Sequence, residues 1–507
     1  MHLYLKLIKS TKEFGYKKNT VEDSFGNSIS NFGLIFKSIL LSKRLYTGND
    51  SRVGLMLPNS VPTTVTFFSL LYLNKTTAII NFTSGLKNIL LCIDSAEITH
   101  VITSKKFIDQ INMNNDIALI KKKCEVIYLE DAKNYISFGD KLKTIKEFIM
   151  EVLINDTDML SPDSRFATLP SNIFLFTSGT ESKPKAVYLN SDNLLANEEQ
   201  VLDVLKIEQE EIFFTCLPFF HSFGLGIGIL LPIFTGCKLF LYPTPLNYKI
   251  IPELIEKSKA TVFFSTDTFL KKYIKYSTKS TFKNIKYLIA GAEKLDLTTY
   301  DYYKNNFNVQ ILEGYGVTEA SPAVSVNTHE NYRIGSVGKI LPRIEYKLEG
   351  IEGYDKGGLL YLKGRNIMDG GYFDKGEISG KEEGGWYNTG DVAYVDEDGY
   401  LFILGRLKRF AKIAGEMISL IQVEEYPKKL WPENNSVVCS IKDSNKGEAL
   451  ILLTDNKNAD LETLINSMKE TGLSSLYVPR KIKIIDEFPI LGSGKLDFKK
   501  LQDIAEN

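Results

Sequence analysis

The chain has 507 residues, of which 44% are hydrophobic and 24% charged, and its formal net charge at pH 7 is −1. This length exceeds what a single compact core accommodates, so two or more domains are expected. The near-zero charge creates no global field that attracts nucleic acid, so no nucleic-acid partner is expected.

The N-terminus, the cysteines and the longest apolar run all predict a cytoplasmic protein. The first residues, MHLYLKLIKSTKEF, contain no long apolar segment followed by a small-residue cleavage site. The apolar run 223–234 is too short to span a bilayer and contains Pro232, so it is predicted to be a core or pocket segment. We therefore expect at most peripheral contact with the inner membrane. Scattered cysteines without a CxxC pair indicate reduced thiols: Cys92, Cys124, Cys216, Cys237 and Cys439.

Short β-type runs alternate with segments of helical length up to about residue 300. RVGLMLP (52–58) precedes a predicted helix at 61–76. THVITS (99–104), CEVIYLE (124–130) and NIKYLIAG (284–291) are typical of buried parallel strands. This alternation predicts α/β layers.

The pattern changes in the last third of the chain. Residues 343–404 contain glycine-punctuated runs that predict an antiparallel β region. The basic segment RLKRFAKIAG follows, and then an αβ pattern, so we place a domain boundary at Lys408. The predicted fold is α/β, with a large N-terminal domain of layered α/β subdomains plus a β region (1–407) and a small α+β C-terminal domain (408–507). The C-terminal elements are predicted at 436–442, 449–454, 459–472 and 481–486.

The stretch FLFTSGTESKPKAVYLN (174–190) has the composition of a phosphate-binding loop. A Walker A loop requires a second glycine before its lysine and Ser or Thr after it, where this chain has Pro184 and Ala186. Hydroxyl groups and backbone N–H groups around Gly179 can still wrap an anion, with Lys185 adding charge. A solvated surface turn is the alternative. The hydroxyl-bearing residues are Thr177, Ser178, Thr180 and Ser182.

The segment EGYGVTEASP (313–322) follows an apolar run and is predicted to lie at a strand end, where ligands bind in open α/β sheets. Tyr315 offers an aromatic face for a base, and Thr318 offers a hydroxyl group for phosphate. Glu319 offers a carboxylate oxygen suited to Mg²⁺.

Two later motifs add charged groups. YNTGDVAYVDEDGYLFILGR places Asp391 in a tight turn, with Arg406 fifteen residues later at the end of a β stretch. A carboxylate accepts both hydrogen bonds of a ribose diol, and a nearby arginine reinforces that grip. PILGSGKLDF places Lys495 after a Gly-Ser-Gly turn, from which a lysine can reach charge that develops at a phosphate.

These motifs, in this order and spacing, resemble the adenylate-forming superfamily of acyl-CoA synthetases, peptide-synthetase adenylation domains and luciferases, over nearly the whole chain. The segments LPFFHSFGLGIG, AGAEKL, GRLKRFAKIAGEMISL and LGSGKLDF more narrowly resemble the acyl-acyl-carrier-protein synthetase domain of bacterial bifunctional 2-acylglycerophosphoethanolamine acyltransferase/acyl-ACP synthetases. The resemblance implies a long-chain fatty acid ligase that uses ATP and Mg²⁺. It first forms an acyl-adenylate and then a thioester on acyl carrier protein, or alternatively on CoA.

The resemblance also assigns roles to residues. It implies that Lys495 drives adenylation, that Lys408 is the hinge of a mobile C-terminal domain, and that Gly415 lies beside the thiol channel. Glu319 is the implied Mg²⁺ ligand, while Thr318 and His221 act at the phosphate and the carboxylate. The implied nucleotide contacts are Thr177, Ser178, Gly179, Thr180, Lys185, Gly291, Ala292, Glu293, Tyr315, Asp391 and Arg406. Ser182 replaces the loop's usual final glycine, which costs about 1 kcal/mol if that position needs a positive φ.

Several features allow two interpretations. His221 is either a core residue or the family's pocket histidine. The glycines that follow the aromatic residues 219–223 suggest a groove for an acyl chain, although such aromatic residues are more often core. The basic run that includes Arg409 and Lys412 is either a solvated face or a docking surface for an acidic carrier protein.

The acyltransferase half of the bifunctional proteins uses an H-x-x-x-x-D pair, and none of the four histidines here has an Asp five residues later. We therefore expect a separate acyltransferase to use the product for phospholipid synthesis or repair. A catalytically inactive acyl- or nucleotide-binding module is the remaining alternative. Joint retention of the acidic and basic motif residues argues against it.

Overall fold

The computed structural model describes residues 1–16, 19–45, 52–150, 171–177, 184–380, 383–443, 446–470, 474–489 and 496–507. The chain divides into two compact units. The first unit is Met1–Ile344 with Gly364–Lys381, and the second unit is Glu345–Lys363 with Glu382–Asn507. The functional division into 1–407 and 408–507 stays a prediction.

Strands occur throughout the described part of the chain. In chain order they are β1 (Asn19–Asp23), β2 (Ser28–Ser30), β3 (Arg52–Leu55), β4 (Thr76–Ile79), β5 (His100–Thr103), β6 (Glu125–Tyr128), β7 (Asn172–Thr177), β8 (Lys185–Asn190), β9 (Ile212–Thr215), β10 (Lys238–Leu241), β11 (Val262–Ser265), β12 (Tyr287–Ala290), β13 (Ile311–Gly316), β14 (Ala323–Val326), β15 (Lys339–Ile340), β16 (Glu345–Ile351), β17 (Tyr354–Lys363), β18 (Tyr372–Asp374), β19 (Glu377–Ser379), β20 (Tyr387–Val395), β21 (Leu401–Arg406), β22 (Phe410–Ile413), β23 (Glu416–Ser419), β24 (Ser436–Asp443), β25 (Gly447–Thr454) and β26 (Lys481–Ile484).

Helices alternate with these strands along much of the chain. They are α1 (Leu3–Phe14), α2 (Asn31–Ser42), α3 (Val61–Tyr72), α4 (Leu86–Ser95), α5 (Lys105–Gln110), α6 (Asn114–Ile120), α7 (Leu129–Asn134), α8 (Phe138–Phe148), α9 (Ser191–Val204), α10 (Leu231–Phe234), α11 (Ile250–Ser258), α12 (Asp267–Ile274), α13 (Leu297–Tyr302), α14 (Leu420–Leu430), α15 (Leu461–Glu470) and α16 (Phe498–Glu506). π-Helical segments span Phe223–Leu230 and Tyr303–Phe307, and short 3₁₀ turns span Thr318–Ala320, Glu383–Gly385, Leu407–Arg409 and Ser475–Tyr477.

The first unit contains a nine-stranded sheet of order β15-β14-β13-β12-β11-β9-β10-β1-β2. Strands β10, β9, β11, β12 and β13 are parallel, so their carboxyl ends lie at one edge. The strand predicted at 284–291 is β12, and its parallel pairing is confirmed. Buried aromatic residues from this sheet and its helices form the adjoining core, including Phe214, Phe263 and Tyr273.

A second sheet of the first unit has eight strands in the order β19-β18-β8-β7-β4-β3-β5-β6. The predictions for 99–104 and 124–130 are confirmed, because β5 pairs with β3 and with β6 in parallel. The helix predicted at 61–76 is α3, which Ser60 begins by accepting a hydrogen bond from the N–H of Thr63. Two α/β sheets therefore form this unit, as the sequence predicts.

The antiparallel region predicted at 343–404 is present but interrupted. Residues 364–381 leave it, and β18 pairs with β8 in the first unit. Glycine makes this pairing possible, because a Cβ at Gly370 would lie 1.4 Å from Cδ1 of Tyr188. Phe373 then stacks on Phe174, with ring centroids 5.1 Å apart. The hydrophobic pattern of the sequence does not predict that this segment pairs with β8, because β8 is distant in sequence.

The second unit contains an antiparallel sheet, β16-β17-β20-β21, and a five-stranded sheet in which β26 pairs with β25 beside β23-β22-β25-β24. The elements predicted near the C-terminus are β24, β25, α15 and β26, with ends shifted by a few residues. The core of the five-stranded sheet includes Ile418, Val438 and Leu452. The α+β character predicted for this part is confirmed.

The apolar run 223–234 is a buried segment of the first unit, but its glycines leave no room for a groove. A Cβ at Gly224 would lie 2.3 Å from the carbonyl oxygen of Pro218, and one at Gly228 would lie 3.1 Å from Thr215 Cγ2. These glycines therefore allow close packing against neighbouring chain. The expectation that missing side chains open an acyl groove here is wrong.

All five cysteines lie within the described ranges, where each is buried and none forms a disulfide bond. Burial raises the pKa of the Cys216 thiol to about 12, so this thiol is not a nucleophile at neutral pH. Among the helices of the described residues, none combines the length and apolar character needed to cross a membrane.

Candidate active site

The ends of the predicted phosphate loop lie side by side. Thr177 ends β7 and Lys185 begins β8, and the two residues are antiparallel partners. A single connection therefore starts and ends at one point of the eight-stranded sheet, as a loop that wraps an anion requires. Ser178, Gly179, Thr180 and Ser182, which were also predicted to act here, lie outside the described residues.

Tyr372 contacts both Lys185 and Glu319. The Nζ atom of Lys185 is 4.7 Å from the centroid of the Tyr372 ring. The Tyr372 hydroxyl group donates a hydrogen bond of 2.7 Å to Oε1 of Glu319. The structure thus joins a cation, an aromatic ring and a buried carboxylate that are far apart in sequence.

Backbone contacts fix the position of Glu319. It lies in the single 3₁₀ turn that follows β13, and its carbonyl oxygen accepts a hydrogen bond of 2.8 Å from the N–H of Met368. The next carbonyl oxygen, of Ala320, accepts one of 2.9 Å from Nδ2 of Asn366. The segment that supplies Tyr372 therefore also holds the turn that carries Glu319.

Thr318 and the residues next to His221 meet on the other side of this turn. The hydroxyl groups of Thr318 and Ser222 are 3.2 Å apart. His221 is exposed, with its ring centroid 4.7 Å from that of buried Phe220. The interpretation of His221 as a core histidine is therefore wrong, and a substrate can reach its imidazole.

The predicted adenine residues lie at the carboxyl edge of the nine-stranded sheet. Gly291 follows β12, and a Cβ there would lie 3.3 Å from both the carbonyl oxygen of Gly314 and Cε1 of Phe223. Ala292 is exposed and has a φ of +66°, which L-residues rarely adopt. Tyr315 lies one residue before the end of β13 and is half-buried. A strained backbone position, a close approach and an aromatic ring are thus grouped at one edge.

Two carboxylates support this edge. Oε2 of Glu293 accepts a hydrogen bond of 3.1 Å from the N–H of Thr268, at the start of α12. Oε1 of Glu313 accepts one of 2.9 Å from the N–H of Leu295. Burial raises the pKa of Glu313 to about 7. Glu293 was predicted to line the adenine site; its carboxylate is engaged with the start of α12, and its role at the base stays a prediction.

The predicted ribose residues form an ion pair within the second unit. Asp391 and Arg406 are cross-strand partners of β20 and β21, with Oδ1 and Nε 3.1 Å apart. The Asp391 side chain is 5% exposed and the Arg406 side chain 55% exposed. One partner is thus fixed in the sheet, while the other reaches solvent.

The turn before Asp391 is built by its own residues. Gly390 has a φ of +72°, and the N–H of Asp391 donates a hydrogen bond of 3.0 Å to the Thr389 hydroxyl group. That hydroxyl group donates in turn to the carbonyl oxygen of Leu360, at 2.8 Å. The Thr-Gly-Asp motif therefore positions the carboxylate through hydrogen bonds and a glycine-specific backbone angle.

The remaining predicted residues of the second unit are Lys408, Gly415 and Lys495. Lys408 lies exposed in the 3₁₀ turn after β21. Gly415, with a φ of +91°, lies in the turn between β22 and β23, where an added Cβ would meet no atom within 4 Å. Lys495 lies outside the described residues.

One residue of the basic docking surface proposed from the sequence, Arg409, is engaged within the protein. Arg409 is paired with Glu424, and its NH1 atom donates a hydrogen bond of 2.9 Å to the carbonyl oxygen of Val438. It is therefore engaged in contacts within the second unit, with its side chain 15% exposed, and the docking role expected of it stays a prediction. Lys412 is exposed, with Nζ 3.1 Å from Glu352.

Within the described residues, no group of three or more His, Cys, Asp or Glu side chains is arranged to hold a metal. Glu319 alone nevertheless fits Mg²⁺, which proteins usually bind through one or two carboxylates together with substrate phosphates. Tyr372 and Ser222, the partners of Glu319 and Thr318, were not predicted from the sequence. Tyr372 belongs to no recognisable motif, and Ser222 follows His221 in LPFFHSFGLGIG without a chemical role that the sequence alone indicates, so tertiary structure reveals both contacts.

A protein-family model matches a large part of this chain. Residues 40–373 match the family model described as AMP-binding enzyme. The match covers more than half of the chain, so the chain belongs to the AMP-binding enzyme family.

Several curated proteins are similar to this chain. Long-chain-fatty-acid–CoA ligase of Salmonella typhimurium is 25% identical over 92% of this chain and 87% of the relative. The Bacillus subtilis protein of the same name is 26% identical over 90% and 86%. Probable 4-coumarate–CoA ligase 3 of Dictyostelium discoideum is 27% identical over 66% of this chain, which spans only 64% of that relative's length.

Solved structures share the fold over its full length. ATP-bound MatB from Rhodopseudomonas palustris superposes with a TM-score of 0.81 and 21% identity, covering 100% of this chain and 99% of that one. MenE from Bacillus subtilis, in complex with ATP and magnesium ion, gives a TM-score of 0.79 at 19% identity, covering 98% and 99%. These similarities confirm the predicted α/β fold.

Proposed function

We propose that the protein is an ATP-dependent ligase that activates a fatty acid as its acyl-adenylate and then transfers the acyl group to a phosphopantetheine thiol. One observation carries the proposal: in a member of the AMP-binding enzyme family, Lys185, Tyr372 and Glu319 form a connected group beside the loop that begins at Thr177. This group combines a cation for phosphate with a carboxylate for Mg²⁺.

In the first half-reaction, an oxygen of the fatty acid carboxylate attacks the α-phosphorus of ATP, and pyrophosphate leaves. We assign phosphate contacts to the loop Thr177–Lys185 and to Thr318, and the Mg²⁺ contact to Glu319. Lys495 offsets the charge that develops at the α-phosphate. The protein's contribution is to position the phosphates and compensate their charge, so no covalent nucleophile of the protein is needed.

The nucleoside is assigned to the remaining polar groups. Gly291, Ala292 and Tyr315 hold the adenine, with Glu293 contributing through its backbone. Asp391 accepts the hydrogen bonds of the ribose diol, and Arg406 reinforces that contact. The ion pair of Asp391 and Arg406 supports this assignment, because it provides a preformed acceptor beside an exposed donor.

In the second half-reaction, the thiol sulfur attacks the acyl carbon of the adenylate, the thiol proton passes to solvent, and AMP leaves. We assign the hinge for this step to Lys408 and the thiol channel to Gly415, and we retain the division into 1–407 and 408–507 as part of the proposal. A separate acyltransferase would consume the thioester for phospholipid synthesis or repair.

Two observations support a fatty acid as the acid. The similar ligases of Salmonella typhimurium and Bacillus subtilis are named for long-chain fatty acids and match at least 90% of this chain. In addition, the exposed imidazole of His221 adjoins the buried ring of Phe220. A polar group beside an apolar surface suits a carboxylate that carries an alkyl chain.

For the acceptor, two observations favour CoA over acyl carrier protein. The similar curated proteins are named as CoA ligases. Arg409, one of the basic residues expected to attract an acidic carrier, is paired with Glu424. The carrier protein remains the second candidate because Lys408 and Lys412 are exposed near the proposed thiol channel.

The test is a two-stage assay with purified full-length protein, ATP, Mg²⁺ and a long-chain fatty acid. Fatty-acid-dependent exchange of pyrophosphate into ATP should occur without any thiol, and its absence would contradict activation and favour an inactive binding module. Thioester formation should then be faster with CoA than with carrier protein at equal concentration. Faster reaction with carrier protein, weakened by salt, would assign the carrier instead.

Two variants separate the half-reactions. Lys495→Ala should abolish pyrophosphate exchange but still convert supplied acyl-adenylate to thioester. Gly415→Leu should do the reverse, because its side chain would fill the thiol channel. Gly415→Ala shares the backbone strain of the leucine variant without its bulk, and so serves as its control. Equal loss of both half-reactions in both variants would refute the alternation of the C-terminal domain.

A further inference from the structure

Helix α8 presents large apolar side chains to solvent along one face. Phe138, Leu142 and Ile145 are 74%, 53% and 46% exposed, and Ile149, one residue beyond the helix, is 41% exposed. Their spacing of four, three and four residues places them in a single row, because a helix repeats every 3.6 residues. We call this row the α8 stripe.

The opposite face of α8 is anchored to the protein. Phe148 is buried and packs edge-on against Phe32, with centroids 4.8 Å apart. Asp140 pairs with Arg44, and Glu147 pairs with Lys43. The helix is therefore held firmly on α2, and its inward face already has partners. The exposed stripe is consequently not the result of a rotated or detached helix.

The charges of α8 are sorted between its two faces. Both carboxylates of the helix, on Asp140 and Glu147, belong to the ion pairs with Arg44 and Lys43, which directly follow α2. The lysines at 141, 143 and 146 are all exposed. The outward face therefore combines an apolar row with positive charge only. Lysines beside such a row can lay their stems along an apolar phase while their ammonium groups reach anions.

We propose that the α8 stripe and its three lysines dock the protein on an anionic lipid bilayer. The charges beside the stripe favour a bilayer over a second copy of the chain as the partner of this surface. In a self-paired α8 the stripe would be the seam, and Lys141 and Lys146 of each copy would flank it, placing like charges against like. The row also spans fewer than the three or four heptads that a coiled coil needs.

A bilayer also fits the shape of the surface. A single convex helix fixed to a folded body presents one face only, whereas amphipathic peptides lay theirs into the groove of a partner. It can lie in the plane of a membrane interface, where its apolar row enters the acyl boundary and its lysines contact headgroup phosphates. Binding should therefore require anionic lipid and weaken with salt.

The experiment is co-sedimentation of the full-length protein with vesicles of phosphatidylcholine, alone or mixed with phosphatidylglycerol. Wild-type protein should bind the mixed vesicles and stay in solution with phosphatidylcholine. The double variant Leu142→Gln/Ile145→Gln should lower the partition coefficient by roughly tenfold or more. The triple variant Lys141→Gln/Lys143→Gln/Lys146→Gln should lower it on the order of a hundredfold.

Matched controls exist elsewhere on the first unit. Leu246→Gln/Ile334→Gln removes two side chains of similar exposure, 53% and 54%, from other surfaces. Replacing the exposed lysines at 249, 257 and 272 by Gln gives the same change in net charge as the triple variant. Both control variants should bind mixed vesicles as the wild type does. All variants should unfold at the wild-type temperature, because the altered side chains are exposed.

Tryptophan fluorescence detects insertion of the α8 stripe into the bilayer. Phe138→Trp should show a blue-shifted emission, relative to the wild type with its two tryptophans, when mixed vesicles are added. Failure of the wild type to bind mixed vesicles would overturn the proposal, as would equal binding by the stripe variants. A wild-type dimer that the stripe variants abolish would show that a second copy covers the stripe. Association with an acidic protein but not with vesicles would show a protein surface.

Discussion

Glu319 in the first unit and Asp391 in the second are both buried carboxylates of sequence motifs, yet they have different partners. Glu319 accepts a hydrogen bond from the neutral phenol of Tyr372, with the lysine cation on the ring beyond it. Asp391 contacts the guanidinium group of Arg406 directly, at 3.1 Å. One carboxylate therefore has a neutral donor in contact with it, and the other has a cation.

This difference suits the two carboxylates to different ligands. A carboxylate with a neutral donor retains its attraction for a divalent cation, whereas one paired with arginine is better suited to accept hydrogen bonds from neutral hydroxyl groups. The two sites also have different scaffolds. The antiparallel register of β20 and β21 fixes Asp391, while a single 3₁₀ turn and contacts from residues 364–381 fix Glu319.

Removal of the Asp391 carboxylate should have the largest effect on activity. Two charge-assisted hydrogen bonds of about 2 kcal/mol each correspond to roughly a thousandfold in kcat/KM for ATP, so Asp391→Ala should lose about that much. The measurement is fatty-acid-dependent pyrophosphate exchange at varied ATP. Glu397 is exposed in the turn between β20 and β21, so Glu397→Ala is the control and should keep wild-type activity. A loss of less than tenfold would contradict the ribose assignment.

The two sites also differ in how far the sequence predicts them. Asp391 and Arg406 are fifteen residues apart in a segment with a clear β pattern, so their facing positions follow from one hairpin. The contact of Tyr372 with Glu319 joins residues 53 positions apart, and Tyr372 lies in a segment that leaves the antiparallel β region and pairs with β8. No local periodicity encodes that exchange.

Glycine patterns show the same limit. The predicted strand and helix types are largely confirmed, because hydrophobic period and turn residues act locally. The glycines at 224, 226 and 228 suggested open volume, but neighbouring chain fills that volume. Composition identifies a position that lacks a side chain, while only packing shows whether a ligand or the backbone occupies the space.

A third buried carboxyl group, on Glu313, extends the comparison to a carboxylate that accepts a hydrogen bond from a backbone N–H. Burial raises its pKa from 4.5 to about 7. The hydrogen bond from the Leu295 N–H and the charge of Lys294 lower the pKa, and the charge of Asp267 raises it, but burial has the largest effect. Its ionisation also affects the nearby Tyr332. Between those two pH values the folded protein holds a proton that the unfolded chain has released. The free energy of unfolding therefore falls as the pH rises through this window.

Glu313→Gln should remove this pH dependence. The shift corresponds to about 3 kcal/mol, so between pH 4.5 and 8 the variant should lose about that much less stability than the wild type. The amide oxygen of the glutamine can still accept the hydrogen bond from Leu295. Urea unfolding at a series of pH values measures the difference. The exposed variant Glu330→Gln should retain the wild-type slope, and an unchanged slope in Glu313→Gln would refute the prediction.

Glu319→Gln tests whether the Glu319 carboxylate binds Mg²⁺. The substitution keeps the shape and an acceptor for Tyr372 but removes the charge that attracts Mg²⁺. The Mg²⁺ concentration for half-maximal pyrophosphate exchange should rise roughly ten- to a hundredfold, the range for removing one partner of a metal site. Tyr372→Phe keeps the charge and should shift this concentration less. An unchanged Mg²⁺ dependence in Glu319→Gln would exclude Glu319 as the metal ligand.

The smallest expected effect is on stability, at two residues with a positive φ among the proposed nucleotide contacts or next to one. Ala292 and Gly390 have similar positive φ values, +66° and +72°, but only the second is a glycine. Because an L-residue pays about 1 kcal/mol in this region, Ala292→Gly should stabilise the protein by up to that amount and Gly390→Ala should destabilise it similarly. The midpoint of urea unfolding measures both. Ala196→Gly, within helix α9, should destabilise, so a loss of stability in Ala292→Gly as well would show that the strain at Ala292 is negligible.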